Sequence, residues 1–443
     1  EYLRTRKQDM LQVVERIHNN LAGSGNELNL DANLLDDTIL IAHDLSPADT
    51  VHLKEQRVTA FVTDAGGPTS HTAILGRSLD IPSVIGLRNA RQLISEHEWV
   101  IVDGINGVLI INPDDIVLAE YRRKLRAYKS KQRELSKLKD TAATTEDGTQ
   151  IELYANIENA EDIKALHKFG ADGVGLFRSE YLYLNRDTLP DEEEQYGVYA
   201  DIVKKMKGKP LTIRTVDLGV DKNPRWFGQN GTPNGSLNPA LGLTGIRLCL
   251  AEPVMFRTQM RAILRAAAHG PVKMMWPMIT SVSELKQCLT HLETASRQLI
   301  EREETFGEVS TGCMIEIPSA ALTVSSLLKL VDFISIGTND LIQYTLSVDR
   351  GDDAVSYLYQ PAHPAVLRLL AHIIRTANRM NKTVSLCGEM AGDTTFTRLL
   401  LGIGLRSFSM NTNNLLAVKD IVIHSHIDRL EQEILRILRN EDP

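Results

Sequence analysis

Short apolar runs alternate with helical segments over the last two thirds of the chain. Eight of these runs predict strands. The predicted strands are residues 153–157, 173–177, 211–216, 272–278, 311–317, 333–337, 384–387 and 407–410. They are mostly apolar with little alternation, which is typical of parallel strands that are buried on both faces. Eight such units over residues 150–430 predict a (β/α)₈ TIM barrel, with an insertion between its third and fourth strands.

The first part of the chain follows a different pattern. Apolar residues at positions 11, 14, 17 and 21 predict a helix within residues 1–22. Short β-prone runs at 38–42, 60–63, 99–102 and 107–111 predict a small α/β domain. Pro113 then begins a charged helical stretch that ends near Asp140, and a polar linker follows. We expect four regions, at residues 1–28, 29–112, 113–148 and 149–443.

Composition limits the class of protein. Hydrophobic residues make up 43% of the 443 residues, and no apolar run is long enough to cross a bilayer. The net charge of −8 argues against general binding of nucleic acid. The four cysteines lack C-x-x-C spacing, which suits a reducing cytoplasm. The first residues contain neither an initiator methionine nor a signal sequence, so we expect an internal start.

One histidine lies on a glycine-rich turn where a helix is predicted to begin. The turn is residues 66–76 (GGPTSHTAILG), and it contains His71. Thr69 or Ser70 can cap the helix, and a phosphate placed there would meet free backbone N–H groups. Thr69 could also fix the tautomer of the imidazole. The alternative is a buried core histidine in an ordinary strand-turn-helix.

Polar residues with catalytic potential lie at the C-terminal ends of the predicted strands, where barrel enzymes place their chemistry. They are Arg178, Arg214, Asp217, Lys222, Glu316, Asn339, Asp340, Arg350, Cys387 and Glu389, with Arg247 in the insertion. A polyanion together with a divalent cation would satisfy these charges, because arginine binds phosphate in a bidentate way and carboxylates bind Mg²⁺. Mutual salt bridges around the rim are the alternative.

These motifs resemble a known family over almost the whole chain. Residues 44–50 (DLSPADT), 66–76 and 77–86 (RSLDIPSVIG) resemble the swivelling phosphohistidine domain of enzyme I of the phosphoenolpyruvate-dependent phosphotransferase system. The phosphoenolpyruvate-binding motifs of that family resemble residues 175–180 (GLFRSE), 213–219 (IRTVDLG), 314–320 (MIEIPSA), 336–341 (IGTNDL), 349–350 (DR) and 386–393 (LCGEMAGD).

The resemblance implies a role for each matching residue. His71 would accept the phosphoryl group of phosphoenolpyruvate, and Cys387 would protonate the enolate as pyruvate leaves. Substrate would be bound by Arg178, Arg214, Asn339, Asp340 and Arg350, with Lys222 and Arg247 as further assignments. Glu316 and Asp340 would bind Mg²⁺. The resemblance also implies a cytoplasmic homodimer that dimerises through the barrel.

The family passes its phosphoryl group to the small phosphocarrier protein HPr, which docks on an inserted helical domain. Residues 1–22 match only the exit of that domain, so we expect inefficient onward transfer. Two other functions stay open. One is the C-terminal part of a pyruvate phosphate dikinase or phosphoenolpyruvate synthase, which would need an ATP-binding domain. The other is a module that senses phosphoenolpyruvate without turnover.

Overall fold

The computed structural model describes residues 38–45, 58–66, 76, 81–184, 186–218, 239–349 and 355–437. It divides into two compact units, with the boundary between Tyr128 and Lys129. The helix predicted within residues 1–22 lies outside the described residues. The two units are described separately below.

The first unit contains a parallel sheet and a hairpin. The sheet has the order β1 (Ile39–Ala42), β2 (Ala60–Thr63), β3 (Ser83–Val84), and the antiparallel hairpin is β4 (Val100–Asp103) with β5 (Val108–Ile111). A short helix, α1 (Ala90–Leu93), precedes the hairpin. Phe61 is fully buried against Leu45, Val58 and Ile81. The four predicted strands are confirmed, whereas β3 was not predicted.

A long helix, α2 (Asp115–Ser136), follows the hairpin. Leu135 is the residue of this helix that is buried, and most of the others are exposed. The helix confirms the charged helical stretch that the sequence predicts from Pro113 onward. Its C-terminal part contacts helix α13 (Leu415–Ile423), because Lys131 Nζ lies 2.8 Å from Asp420 Oδ2. Lys419 Nζ donates to the carbonyl oxygens of Leu138 and Lys139.

The second unit is a closed barrel of parallel strands, as the sequence predicts. Each strand pairs with the next along the chain, and β13 pairs with β6 to close the barrel. The strands are β6 (Glu152–Ile157), β7 (Val174–Arg178), β8 (Leu211–Arg214), β9 (Val272–Trp276), β10 (Ser310–Ile315), β11 (Phe333–Ile336), β12 (Thr383–Leu386) and β13 (Ser407–Met410). The predicted strands all occur, but several end one to two residues earlier than predicted.

Helices connect these strands. They are α3 (Asp162–Phe169), α4 (Glu192–Lys205), α5 (Ile246–Ala251), α6 (Pro253–Ala266), α7 (Val282–Glu301), α8 (Pro318–Leu322), α9 (Val324–Leu327), α10 (Thr338–Leu346), α11 (Pro364–Arg379), α12 (Thr394–Ile403), α13 and α14 (Ile427–Ile437). Several of these helices begin at residues that favour a helix N-terminus. Ser281 and Glu284 form a capping box at α7, and proline opens α6 and α11. In the part of the chain that the structure describes, no helix is long and apolar enough to span a membrane.

Two layers of side chains explain the apolar strands. Phe177, Trp276 and Ile334 belong to the large core between the strands and the helices. Their sequence neighbours point to the opposite face, because successive strand residues alternate. Leu176, Met275, Met314, Phe333 and Cys387 accordingly form a separate buried cluster on the inner face of the barrel. Both faces of the strands are therefore buried, which accounts for the lack of alternation in the sequence.

Candidate active site

Arg214 ends β8, and only 8% of its surface is exposed. Its Nη2 donates to Glu180 Oε1 at 2.8 Å, and its Nη1 lies 3.1 Å from Asp217 Oδ2. Burial disfavours its charge, but Glu180, Asp217, Glu316 and Cys387 together hold its pKa above the usual value. Arg214 is therefore a permanent cation. Its buried Nε has no hydrogen-bond partner among the described residues.

Glu316 follows β10 and is fully buried. Its Oε1 accepts the backbone N–H of Met278 at 2.6 Å, while its Oε2 has no partner within the described chain. Met278 adopts a φ of 54°, which is unusual for a residue with a long side chain, and this conformation accompanies the bond to Glu316. Burial raises the pKa of Glu316 well above its ordinary value, and the nearby Asp340 and Asp217 raise it further.

The residues that follow β11 complete this side of the site. Asp340 lies in the first turn of α10, and its charge acts on Glu316. Asn339 Oδ1 accepts the backbone N–H of Glu389 at 2.9 Å, which joins the segment after β11 to the segment after β12. A methyl group on Gly337 would lie 2.7 Å from Glu316 Oε2, so glycine at this position leaves room for the carboxylate.

Cys387 comes directly after β12 and is buried on the inner face of the barrel. Its Sγ lies 3.6 Å from the carbonyl oxygen of Ile336. Burial raises the pKa of the thiol to about 11, although a hydrogen bond with Ser335 opposes this rise. The thiol therefore keeps its proton at neutral pH. The charges of Glu316 and Arg214 also act on it, so the three side chains lie near one another.

Arg178 ends β7 and has a different environment from Arg214. Its Nη1 donates to Glu158 Oε1 at 2.7 Å, and both side chains are substantially exposed. The pair is therefore accessible to a competing anion. Its charge also acts on Cys387, so Arg178 lies on the same side of the barrel as that thiol.

Of the remaining predicted site residues, the structure describes Arg247 but not His71, Lys222 or Arg350. Arg247 lies in the first turn of α5, where its Nη1 donates to the carbonyl oxygens of Leu241 and Gly242. It is exposed, and these contacts place no anion beside it. His71, Lys222 and Arg350 lie outside the described residues, as does Thr69. Their roles stay predictions.

Three contributors to the site were not assigned a role from the sequence. Glu180 and Asp217 bind Arg214, and the backbone of Met278 binds Glu316. Both acidic residues lie within motifs that the sequence analysis singled out, so the signal was present. The Met278 contact depends on a backbone conformation for which a methionine gives no signal. Part of the expected alternative, mutual salt bridges at the rim, is thus present at Arg178 and Arg214.

A second acidic group is separate from these strand ends. Asp147 precedes β6, and His426 and Asp428 lie at the beginning of α14. Their possible ligand atoms lie within 4.8 Å of one another. Asp147 Oδ2 accepts the N–H of Ile427 at 2.9 Å and lies 3.6 Å from His426 Nδ1. These contacts hold the turn before β6 against the start of α14.

Comparison with known proteins identifies the family. Residues 132–427 match the family model described as PEP-utilising enzyme, PEP-binding domain, where PEP is phosphoenolpyruvate, and residues 34–107 match the mobile domain of the same enzymes. The chain is 49% identical over 452 residues to a phosphoenolpyruvate-protein phosphotransferase of Cupriavidus necator, covering 100% of this chain and 77% of that protein. This chain belongs to the phosphoenolpyruvate-protein phosphotransferase family. The resemblance predicted from the motifs is confirmed.

Other members of the family match a similar share of the chain, at lower sequence identity. A phosphoenolpyruvate-protein phosphotransferase of Bacillus subtilis is 42% identical over 420 residues, which cover 95% of this chain and 73% of that protein. One of Enterococcus faecalis is 39% identical over 444 residues, covering 100% and 76%. The chain thus spans about three quarters of the length of these family members. The Arg214, Glu316 and Cys387 site lies within the part that matches the PEP-binding domain.

Proposed function

We propose that the chain transfers the phosphoryl group of phosphoenolpyruvate to His71 and releases pyruvate. The observation that carries the proposal is the buried Arg214, held by Glu180 and Asp217 at the strand ends with Glu316 nearby. A buried cation with an unused donor, in the region similar to a PEP-binding domain, is suited to binding a phosphate. His71 enters through its motif in the sequence and through the match to the mobile domain.

Under this proposal, the arginines contact the substrate in different ways. Arg214 is fixed before substrate arrives, so it neutralises phosphate charge without reorganisation. Arg178 is paired with an exposed carboxylate, which the phosphate would replace. Arg350 and Lys222 are assigned by their motifs as further phosphate ligands, and Arg247 stays the weakest assignment. Asn339 would orient the substrate from the segment after β11, where Glu389 already fixes its amide.

The donor set near Glu316 fits Mg²⁺. A fully buried carboxylate with an unpartnered oxygen, close enough to Asp340 for each charge to disfavour the other, needs a cation. Carboxylate oxygens are the ligands that Mg²⁺ prefers. Glu316 and Asp340 would hold the ion, and a bound ion would supply positive charge that stabilises the phosphate and the departing enolate. The backbone N–H of Met278 holds Oε1 of the Glu316 carboxylate, and Gly337 leaves space beside Oε2.

Cys387 supplies the proton. As the bond between phosphorus and the enol oxygen breaks, the bond between phosphorus and the imidazole nitrogen of His71 forms. The enolate carbon then takes the proton of the Cys387 thiol and becomes the methyl group of pyruvate. The high pKa of this thiol keeps the proton available at neutral pH.

We propose further that the phosphorylated protein passes its phosphoryl group to HPr, that it works in the cytoplasm, and that it dimerises through the barrel. These three statements rest on the family alone. A size measurement by sedimentation tests the dimer. Addition of HPr to the phosphorylated protein tests onward transfer.

Incubation with labelled phosphoenolpyruvate and Mg²⁺ tests the central proposal. We expect acid-labile label on His71 and none after His71→Ala. His97→Ala is a matched control, because His97 is exposed and lies outside the proposed site. Label retained by His71→Ala would overturn the assignment of the acceptor. Binding of phosphoenolpyruvate without any label in the parent protein would favour a sensing module instead.

A further inference from the structure

A chain of buried polar side chains lies behind the end of β8. Its members come from three elements, and at most 1% of the surface of each is exposed. They are Ser179 from the turn after β7, Gln195 and Tyr199 from α4, and Gln259 from α6. Buried polar groups are costly unless they are hydrogen-bonded, so an apolar core would be the simpler way to pack these helices. The presence of buried polar side chains at these positions therefore requires an explanation.

Gln259 is the centre of this chain. Its Oε1 accepts the backbone N–H of Val216 at 2.9 Å. Its Nε2 donates to Ser179 Oγ at 2.9 Å and to Tyr199 Oη at 3.1 Å. The orientation of the amide is determined, because the backbone N–H can only donate and must face the carbonyl oxygen. Every polar atom of the Gln259 amide thus has a partner.

Ser179 connects Gln259 to Arg214, the residue proposed to bind the phosphate. The Ser179 hydroxyl accepts from Gln259 and donates to the backbone carbonyl of Arg214 at 2.8 Å. Gln259 and Ser179 therefore hold the carbonyl before Thr215 and the N–H after it. The strand has ended at Arg214, so these groups no longer have strand partners on both sides and need others. Holding both peptide groups fixes the direction in which Arg214 and Asp217 leave the backbone.

Gln195 completes the chain at a distance from β8. Its Oε1 accepts from Tyr183 Oη at 2.9 Å and from Tyr199 Oη at 3.3 Å, and its Nε2 donates to the carbonyl of Pro190 at 3.0 Å. None of these three hydrogen bonds involves the backbone of residues 214–217. Gln195 is as buried as Gln259 and makes as many hydrogen bonds, but it does not reach the end of β8 directly.

We propose that Gln259, acting through Ser179 and Val216, is a positioning residue for Arg214 in phosphoenolpyruvate binding. It touches neither the substrate nor the proposed metal. The proposal rests on the proposed function, because it needs Arg214 to bind the phosphate. Its physical basis is that a displacement of about 1 Å in a binding group can cost about a hundredfold in rate.

The test compares two identical substitutions, Gln259→Met and Gln195→Met, which each remove one buried amide of the same chain. We expect similar losses of stability in urea unfolding. We expect Gln259→Met to raise the KM for phosphoenolpyruvate and to lower kcat/KM for phosphorylation of His71 by about tenfold to a hundredfold. Gln195→Met should change kcat/KM less than about threefold. Equal catalytic losses in both variants, or no loss in Gln259→Met, would overturn the proposal.

Ser179 provides a second pair of variants if Gln259→Met fails to fold. Ser179→Ala removes the donor to the Arg214 carbonyl, whereas Ser179→Thr keeps a hydroxyl. We expect Ser179→Ala to raise KM and Ser179→Thr to restore most of the affinity. Equal KM values for parent and Ser179→Ala would contradict the proposal. If the parent protein shows no labelled His71, the proposed function fails, and calorimetric binding of phosphoenolpyruvate to the same variants still tests the positioning role.

Discussion

Arg214 and Glu180 form a buried ion pair in which Nη2 donates to Oε1 at 2.8 Å. The same carboxylate oxygen accepts the backbone N–H of Asp217 at 2.9 Å. One acidic side chain therefore orients both the guanidinium and the segment that follows β8. This arrangement differs from a surface salt bridge, because neither partner can exchange its charge contact for water.

Substitution of Glu180 tests this relationship. We expect Glu180→Ala to lower the free energy of unfolding of the barrel by at most about 3–5 kcal/mol, because it removes one of the two carboxylates that pair with the buried Arg214 and leaves Asp217 as the other. Glu180→Gln keeps an oxygen that accepts from both donors, so its loss should be smaller. Urea unfolding measures the stability, and titration with phosphoenolpyruvate measures the affinity. Equal stability of Glu180→Ala and the parent would contradict a structural role for the pair.

The sequence predicts where the polar residues lie but not how they pair. Arg214, Glu316 and Cys387 lie at or just after the C-terminal ends of their strands, and these ends meet at one face because the barrel strands are parallel. The contact of Glu316 with Met278 could not be predicted, since it depends on a left-handed backbone conformation of a methionine. The strand β3 escaped prediction because two residues are too short to show a period.

The contact between Arg178 and Glu158 predicts that this carboxylate competes with substrate. Glu158→Gln removes the negative charge, so we expect phosphoenolpyruvate to bind more tightly. Because the pair is exposed, the gain should correspond to at most about 1 kcal/mol, or about fivefold in Kd. Calorimetric titration measures it. Glu161→Gln makes the same change of charge nearby and should have a smaller effect, so equal effects would indicate only long-range electrostatics.

The position of Cys387 predicts a specific loss of proton transfer. We expect Cys387→Ala to slow release of pyruvate by about 10²–10⁴-fold, the usual contribution of a general acid. Cys313→Ala is the matched control, because Cys313 is also buried on a barrel strand but its side chain belongs to the core between the strands and the helices. Rates are measured by coupled detection of pyruvate. Alkylation of the Cys387 thiol in the parent should be slow at neutral pH and rise towards its pKa of about 11. A full rate in Cys387→Ala would exclude it as the donor.

The buried carboxylate of Glu316 predicts an unusual dependence of stability on pH and metal. Its pKa is raised in the folded protein, so the folded state keeps a proton that the unfolded state loses, and stability falls as pH rises above the ordinary pKa of glutamate. In EDTA, we expect the parent to lose more stability between pH 5 and pH 8 than Glu316→Gln does.

Mg²⁺ at a hundred times its Kd should restore about 2.7 kcal/mol of stability to the parent and little to the Glu316→Gln variant. Urea unfolding with and without Mg²⁺ measures both effects, and the exposed Glu301→Gln should behave like the parent. Equal stabilisation of Glu316→Gln by Mg²⁺ would place the ion elsewhere.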